Sequence, residues 1–414
     1  MRFVVPALVF PFWLACSVND GGGSDAGVSS DVVSSDVGVN PMSDAQVCPS
    51  GRLACGGECV DTTSDVSNCG GCGKTCSSGS CTNGLCTCPA NTVLCTGRCV
   101  DTNTDANDCG GCGLTCTSTC AAGRCSLVLA SGQDQPWDVA VDGTSVYWTN
   151  SGTTGVLFSR VMKVPRGGGS PTTLAPVSGT ISPLGIAVDG ASVYWTTSAG
   201  LGTSGVYKVP LGGGSQTTLA SSSHMIYSVA VDGTSAYYGW YAAPTSVKKV
   251  PLGGGSETIL ASATNPTSVA VDGTSLYWAE QSSVMKCPLG GGSPIVLASG
   301  LGQPVHIAID ATSVYWTIFS GEVMKVSKAG GSPTTLASGQ DQPWDIAVDG
   351  TNVYWVNHGV ANAMDGKVMK MPVGGGSPIV LASGQDLPWG IAVDGTSVYW
   401  TNRNGGTVMK LTPK

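Results

Sequence analysis

The chain has 414 residues, enough for two or three domains and a large core, and a formal net charge of -8. Only 11% of its residues are charged, and the scattered Lys and Arg exclude the basic footprint that nucleic acid requires. Sixteen of the 18 Cys lie between Cys48 and Cys125, a density that belongs to oxidising, extracytoplasmic compartments because cytosolic thiols are kept reduced.

Met1-Arg2 precedes a short apolar run, Phe3 to Ala15. The run falls short of the roughly 20 residues that span a bilayer and fits a secretory signal. It ends Trp13-Leu14-Ala15-Cys16. A small residue directly before Cys resembles the bacterial lipobox, which implies that residues 1–16 are a signal peptide with a lipobox Cys and that Cys16 is lipidated and becomes the new N-terminus. Ser17 after it implies the outer membrane or cell surface. The alternative is an ordinary cleaved signal with an incidental Cys. Residues 17–47 are Ser, Asp, Gly and Val without periodicity, so they bury too little to offset their ordering entropy and form a disordered acidic tether.

Residues 48–125 hold two copies of one unit, 48–86 and 88–125, each with eight Cys at nearly the same spacing. Each can close four disulfides, in any of 105 connectivities. Cross-links suit a unit with so little core. The Cys69-Gly-Gly-Cys72 and Cys109-Gly-Gly-Cys112 pairs also have the spacing of zinc or redox motifs, but an export signal and an even Cys count favour disulfides. Asp101, Asn103, Asp105 and Asp108 are spaced like calcium ligands. The first copy has Thr63 in place of Asn103, however, and neither copy has an EF-hand's glycine or distal Glu, so loop capping is the reading. The module resembles CGGCG-type Cys-rich repeats of exported bacterial proteins and reads as a spacer or adhesion stalk.

From Ser126 to Lys414 a unit of roughly 40 residues recurs seven times. An apolar-Ala-apolar-Asp segment, as in Val139 to Asp142, predicts strand a, and its Asp-Gly-Thr-Ser continuation predicts a hairpin with glycine at positive φ. Position 311 departs, with Ala for Gly. Strand b is Ser-Val-Tyr-Trp, strand c Val-Met-Lys-Val-Pro, and strand d follows a Gly-rich turn such as Gly167 to Ser170. The small Ala in each strand a suits a strand crowded towards an axis. The seventh unit ends after strand c, while Ser126 to Ser131 matches strand d and precedes the first strand a. The expected fold is therefore an all-β, seven-bladed propeller whose N-terminal strand closes the last blade, with no open edge. Cys287 replaces an apolar strand-c residue and is expected as a buried free thiol.

Tyr147-Trp148-Thr149-Asn150 and Tyr399-Trp400-Thr401-Asn402 bring the units close to the YWTD and NHL propellers over nearly all of 126–414. The resemblance implies a propeller that binds a ligand or protein. In propellers the d–a and b–c connections share one face. The b–c loops vary most here and are longest at 150–160, 197–205 and 357–367, which marks a binding face.

On that face the residues opening strand a are Trp137, Leu184, Tyr227, Thr267, Val305, Trp344 and Trp389. The three Trp fall in neighbouring blades, with Asp138 and Asp345 beside two of them and Gln133, Gln340 and Gln385 upstream. An aromatic and amide/carboxylate arc at the channel mouth is expected, suited to a glycan or protein ligand; the alternative is that these Trp are packing. His306 and His358 fall on the same face. Propeller lyases that inactivate cyclic antibiotics use His and Glu in this region, which makes a lyase or hydrolase the alternative activity, although only Glu280 and Glu322 lie nearby. No nucleophile elbow is present, and no catalytic residue, cofactor or metal is expected. The reading is recognition without catalysis; a purely structural envelope protein is the remaining alternative.

Overall fold

Alternation along strand b decides the architecture. In Ser-Val-Tyr-Trp the Tyr and Trp point to opposite faces of a strand, so each blade offers Tyr to one neighbour and Trp to the other. The computed structural model describes residues 47–152, 159–177, 181–199, 203–241, 245–360 and 363–414, and in it these pairs fill the gaps between blades. Tyr147 packs with Trp195, Tyr194 with Tyr238, Tyr237 with Trp278 and Tyr277 with Trp316. Tyr315 then meets Trp355, Tyr354 meets Trp400, and Tyr399 meets Trp148 across the closure. Burying a Trp removes roughly 150–250 Å² from water, about 4–6 kcal/mol of gross hydrophobic stabilisation per gap.

The seven blades are antiparallel sheets in the order a-b-c-d. Blade 1, for example, is Pro136–Val141, Ser145–Asn150, Arg160–Pro165 and Thr172–Pro176. Blade 7 combines Pro388–Val393, Val398–Asn402 and Thr407–Thr412 with Arg124–Ala130, which pairs Val408 with Ala130 and Thr412 with Cys125. The expected closure is thus present, and the blade gains a fifth strand, Thr119–Ala121, from the second Cys-rich repeat.

Two further devices repeat around the ring. The Tyr of each strand b donates its hydroxyl to the Asp ending strand a, from Tyr147–Asp142 to Tyr399–Asp394, at 2.6–3.0 Å. The other oxygen of the same carboxylate accepts turn N–H groups, as Asp142 does from Thr144 and Ser145. This corrects the turn expectation. Gly143, Gly190, Gly233 and Gly395 are not at positive φ, and only Gly350 is, at 85°. The Asp side chain closes the turn, which is why Ala311 is tolerated. Positive φ belongs instead to the c–d turns, as at Gly168 and Gly169.

The second device is the Lys of strand c. Lys163, Lys208, Lys249, Lys286, Lys325, Lys370 and Lys410 each donate across to a carbonyl of the next blade at 2.6–3.1 Å. The last, Lys410 to Arg166, completes the circle.

Two compact units divide the described chain: Ala90–Thr96 with Val100–Lys414, and residues 47–89 with Gly97–Cys99. Both repeats are disulfide-linked first Cys to third, second to fifth, fourth to seventh and sixth to eighth. Cys69 and Cys72 therefore bond to Cys81 and Cys55, and the close sulfurs of Cys69, Cys76 and Cys86 belong to disulfides. Asp101, Asp105 and Asp108 accept loop N–H groups from Asn103, Asn107 and Gly113, as capping requires. Cys287 is a buried free thiol, pushed up to about 11 by burial. The leader, Cys16 and nearly all of the tether lie outside the described residues, as do parts of the three long b–c loops.

Candidate functional site

Two tiers of side chains meet at one mouth of the channel. The first is the strand-a opening position. The second is the residue just after strand b: Ser151, Tyr241, Gln281, Phe319, His358 and Arg403 in six of the blades. The backbone N–H of each donates to a carbonyl of its own d–a loop, as Arg403 does to Leu387, His358 to Gln342 and Phe319 to Gln303. That bond sets the residue beside the opening of strand a. Before the Pro that opens strand a in blades 1, 6 and 7, Gln135, Gln342 and Leu387 sit at φ 49°, 52° and 57°. Left-handed non-glycine backbone is strained, and strain of this kind clusters at functional sites.

The two tiers enclose a cavity of about 430 Å³ lined by Trp137, Tyr227, Tyr241, His306, Phe319, Trp344 and Trp389, with Thr267, Gln303, Pro304 and Val305 completing it. The aromatics are continuous. Phe319 meets Trp344 edge-on at 5.9 Å, Trp344 meets Trp389 at 4.6 Å, and Trp389 meets Trp137 at 4.6 Å. His358 stacks on Trp389 at 4.3 Å and on Trp344 at 4.7 Å. The guanidinium of Arg403 lies 4.6 Å from the Trp137 ring and 4.5 Å from the Trp389 ring. Opposite, Tyr227 and Tyr241 pack edge to face at 5.1 Å. The indole N–H groups of Trp344 and Trp389 and Nε2 of His358 have no hydrogen-bond partner among the described residues.

Below the aromatics lies a charged layer. Asp138 accepts N–H bonds from Val139 (2.7 Å) and, across the blade gap, from Ile186 (2.9 Å). Asp345 does the same with Ile346 and Ile391, both at 2.8 Å. Nδ1 of His306 faces Oδ1 of Asp345 at 3.1 Å. Burial, reinforced by the charge of Asp345, pushes the Asp138 carboxyl up to about 7 against its backbone bonds and the nearby imidazole. Burial disfavours the charged form of His306, but Asp345 and Asp138 outweigh it, so its pKa is raised. Burial, with the charges of His306 and Arg403, lowers His358 to about 3 and keeps that ring neutral.

The structure thus brings Trp137, Tyr227, His306, Trp344 and Trp389 to one cavity, with Asp138 and Asp345 next to it. Gln133, Gln340 and Gln385 do not join this arc. Each side-chain carbonyl accepts from a strand-b indole (Trp148, Trp355, Trp400) and from the Asn two residues on (Asn150, Asn357, Asn402). Each amide donates to a local backbone carbonyl. Their polarity is spent within their own blades. Glu280 likewise accepts from Trp278 and Thr264, and neither it nor Glu322 lines the cavity. Sequence reasoning missed Tyr241, Phe319 and Arg403. The signal was present, because the position after strand b varies in every blade while the strand itself is nearly constant.

Comparison with known proteins supports the fold and part of the module. Residues 31–89 match the model of the stigma-specific STIG1-like protein family, about a seventh of the chain. No curated protein matches. Among solved structures, virginiamycin B lyase from Staphylococcus aureus is similar with a TM-score of 0.54 at 14% identity, over 70% of this chain and 98% of that one. The WD40 propeller domain of Doa1 is similar with a TM-score of 0.55 at 13% identity, over 70% and 97%. At such identities the likeness is one of fold: a seven-bladed propeller, an architecture that commonly mediates ligand or protein binding. Eight disulfides and the Cys-rich module point to an extracellular or secreted protein.

Proposed function

We propose that the protein recognises a protein ligand by seating an apolar or aromatic group of that ligand in the channel-mouth cavity, without catalysis. The carrying observation is the largely aromatic lining with His306 and Gln303 among it, the combination of apolar wall and few orienting polar groups that ligand sites share. A peptide side chain fits this cavity better than a glycan. Sugars need open ring faces, and here Trp389 packs against His358, Arg403 and two Trp at once. Lipidation at Cys16 and the acidic tether would hold the propeller out from the cell surface.

The test is selection from a random peptide display library with the full chain and with folded Trp344→Ala and Phe319→Ala variants. Enrichment of peptides carrying a large apolar residue, lost in both variants, is expected; removing such an anchor costs roughly 2 kcal/mol, about thirtyfold in affinity. No enrichment by the native chain sinks the proposal. A lyase or hydrolase is the second reading, favoured by the His306–Asp345 pair beside the cavity. It requires that a captured ligand be recovered chemically altered, and unaltered with His306→Asn.

A further inference from the structure

We propose that Arg403 is an anion anchor at the rim of this cavity and that the ligand group seated there carries a carboxylate next to its apolar part. The inference rests on the binding reading above and narrows its ligand class.

Three observations converge on Arg403. Its guanidinium is clamped over two rings that line the cavity, at 4.6 and 4.5 Å, so the side chain is held in one orientation before any ligand arrives. Among the described residues its side chain donates to a neutral acceptor, Oε1 of Gln135 at 3.1 Å from Nη2. Among the described residues no carboxylate pairs with it. Arg166 shows the contrast, since it bonds the Tyr399 hydroxyl and pairs with Asp394. A partly buried cation without a counter-charge is costly, and burial alone depresses the pKa of Arg403.

The geometry also says where the anion belongs. Asp138 and Asp345 line the channel wall, each holding two backbone N–H bonds and close enough to His306 to raise its pKa. His306 is already matched there by Asp345, so the cation left without a carboxylate is Arg403 at the rim. The apolar part then enters between Trp344, Phe319 and the Tyr227–Tyr241 pair. A planar fork of donors matches a carboxylate bidentately, which a lysine at this position cannot reproduce. A peptide C-terminus ending in a large apolar residue has this chemistry, and so does a small free aromatic or aliphatic acid.

The experiment is calorimetric titration of the full chain with N-acetyl-phenylalanine, N-acetyl-tryptophan and N-acetyl-leucine, each as free acid and as amide. An octapeptide ending in phenylalanine, with a free or an amidated C-terminus, forms the second arm. The expected result is that acids bind about tenfold or more tighter than amides, as loss of a charge-assisted hydrogen bond implies. The preference should shrink with added salt and vanish in Arg403→Gln and Arg403→Lys, while Trp344→Ala weakens acid and amide alike. A preference confined to the octapeptide identifies a chain end as the source; the same preference in the small acids identifies the free acid. Equal binding of acid and amide by the native chain overturns the anchor and leaves the binding reading standing. If neither binds, both fall. The acid–amide comparison needs no variant, so a folding defect in Arg403→Gln does not obscure it.

Discussion

The closing strand of the propeller is also a strand of the disulfide module, and that can be perturbed at one bond. Cys125 lies in Arg124–Ala130, where it pairs with Thr412 of the last strand c and is bonded to Cys116. Replacing Cys116 and Cys125 by Ser removes a cross-link of sequence separation 9. By loop-closure entropy a loop of that size is worth roughly 2.5–3 kcal/mol. For a domain this large, each kcal/mol moves the midpoint by about 2 °C, so a drop of roughly 5 °C is expected. Every Trp except Trp13 lies in the propeller, so Trp fluorescence during thermal unfolding reports on the ring and not on the module. The matching pair Cys76–Cys86, whose repeat contributes no strand to a propeller sheet, is the control and should leave the Trp transition unmoved. If the Cys116/Cys125 variant melts with an unchanged Trp midpoint, the closing strand holds without the module and the reasoning is wrong.

Two further outcomes separate scaffold from site. Gln385→Leu orphans the Trp400 indole, at roughly 1–3 kcal/mol, and leaves the Asn402 amide only its bond to the Thr407 hydroxyl; a lowered midpoint with unchanged ligand affinity is expected, and lost affinity in a folded variant would return Gln385 to the site. The turn carboxylates also predict acid sensitivity. Burial raises Asp142, Asp232, Asp310 and Asp394, but bonds from turn N–H groups and the Tyr hydroxyl outweigh it and hold each below 3.8. A depressed folded pKa gives stability that is full above the unfolded value and lost as pH falls through the folded one. Denaturant midpoints measured from pH 6 to 2 should therefore fall steeply below about pH 4, and a flat profile contradicts the latch.

What was legible in the sequence is what repeats locally. Seven copies of strand a and strand b gave the blade count, and the missing last strand d with a spare copy at Ser126 gave the closure. The Asp-Gly-Thr-Ser turn misled because glycine suggested positive φ, whereas the Asp carboxylate closes the hairpin and Tyr locks it five residues on. The role of the strand-c Lys carried no local signal, because its acceptor lies in the next blade, 40 to 48 residues ahead in blades 1 to 6. The cavity was half legible for the same reason. Strand-a openings could be aligned, but Phe319, Tyr241 and Arg403 join them only through backbone bonds to d–a loops upstream.

The site's position gives the disulfide beside the closure a role in binding. The three Trp belong to blades 6, 7 and 1, so the arc straddles the seam where the first and last strands of the propeller meet. A propeller held at the seam by sheet pairing alone would let Trp137 shift against Trp389, and Arg403 stacks on both. Here the hydroxyl of Thr401 in blade 7 donates to the Trp137 carbonyl at 2.8 Å, fixing the backbone of one arc residue to the other side of the seam. On the opposite edge Lys410 reaches Arg166 and Arg166 returns to Asp394. The Cys116–Cys125 bond restrains the strand between them. The Thr and Lys bonds recur at other joints, as in Thr149 to Leu184 and Lys163 to Leu211, so the disulfide is what sets this joint apart; added restraint at a joint that the site spans suits binding, because preorganisation there sets how much ordering the ligand must offset. The Cys116/Cys125 variant should then weaken ligand binding as well as stability, through a faster off-rate at temperatures well below its midpoint.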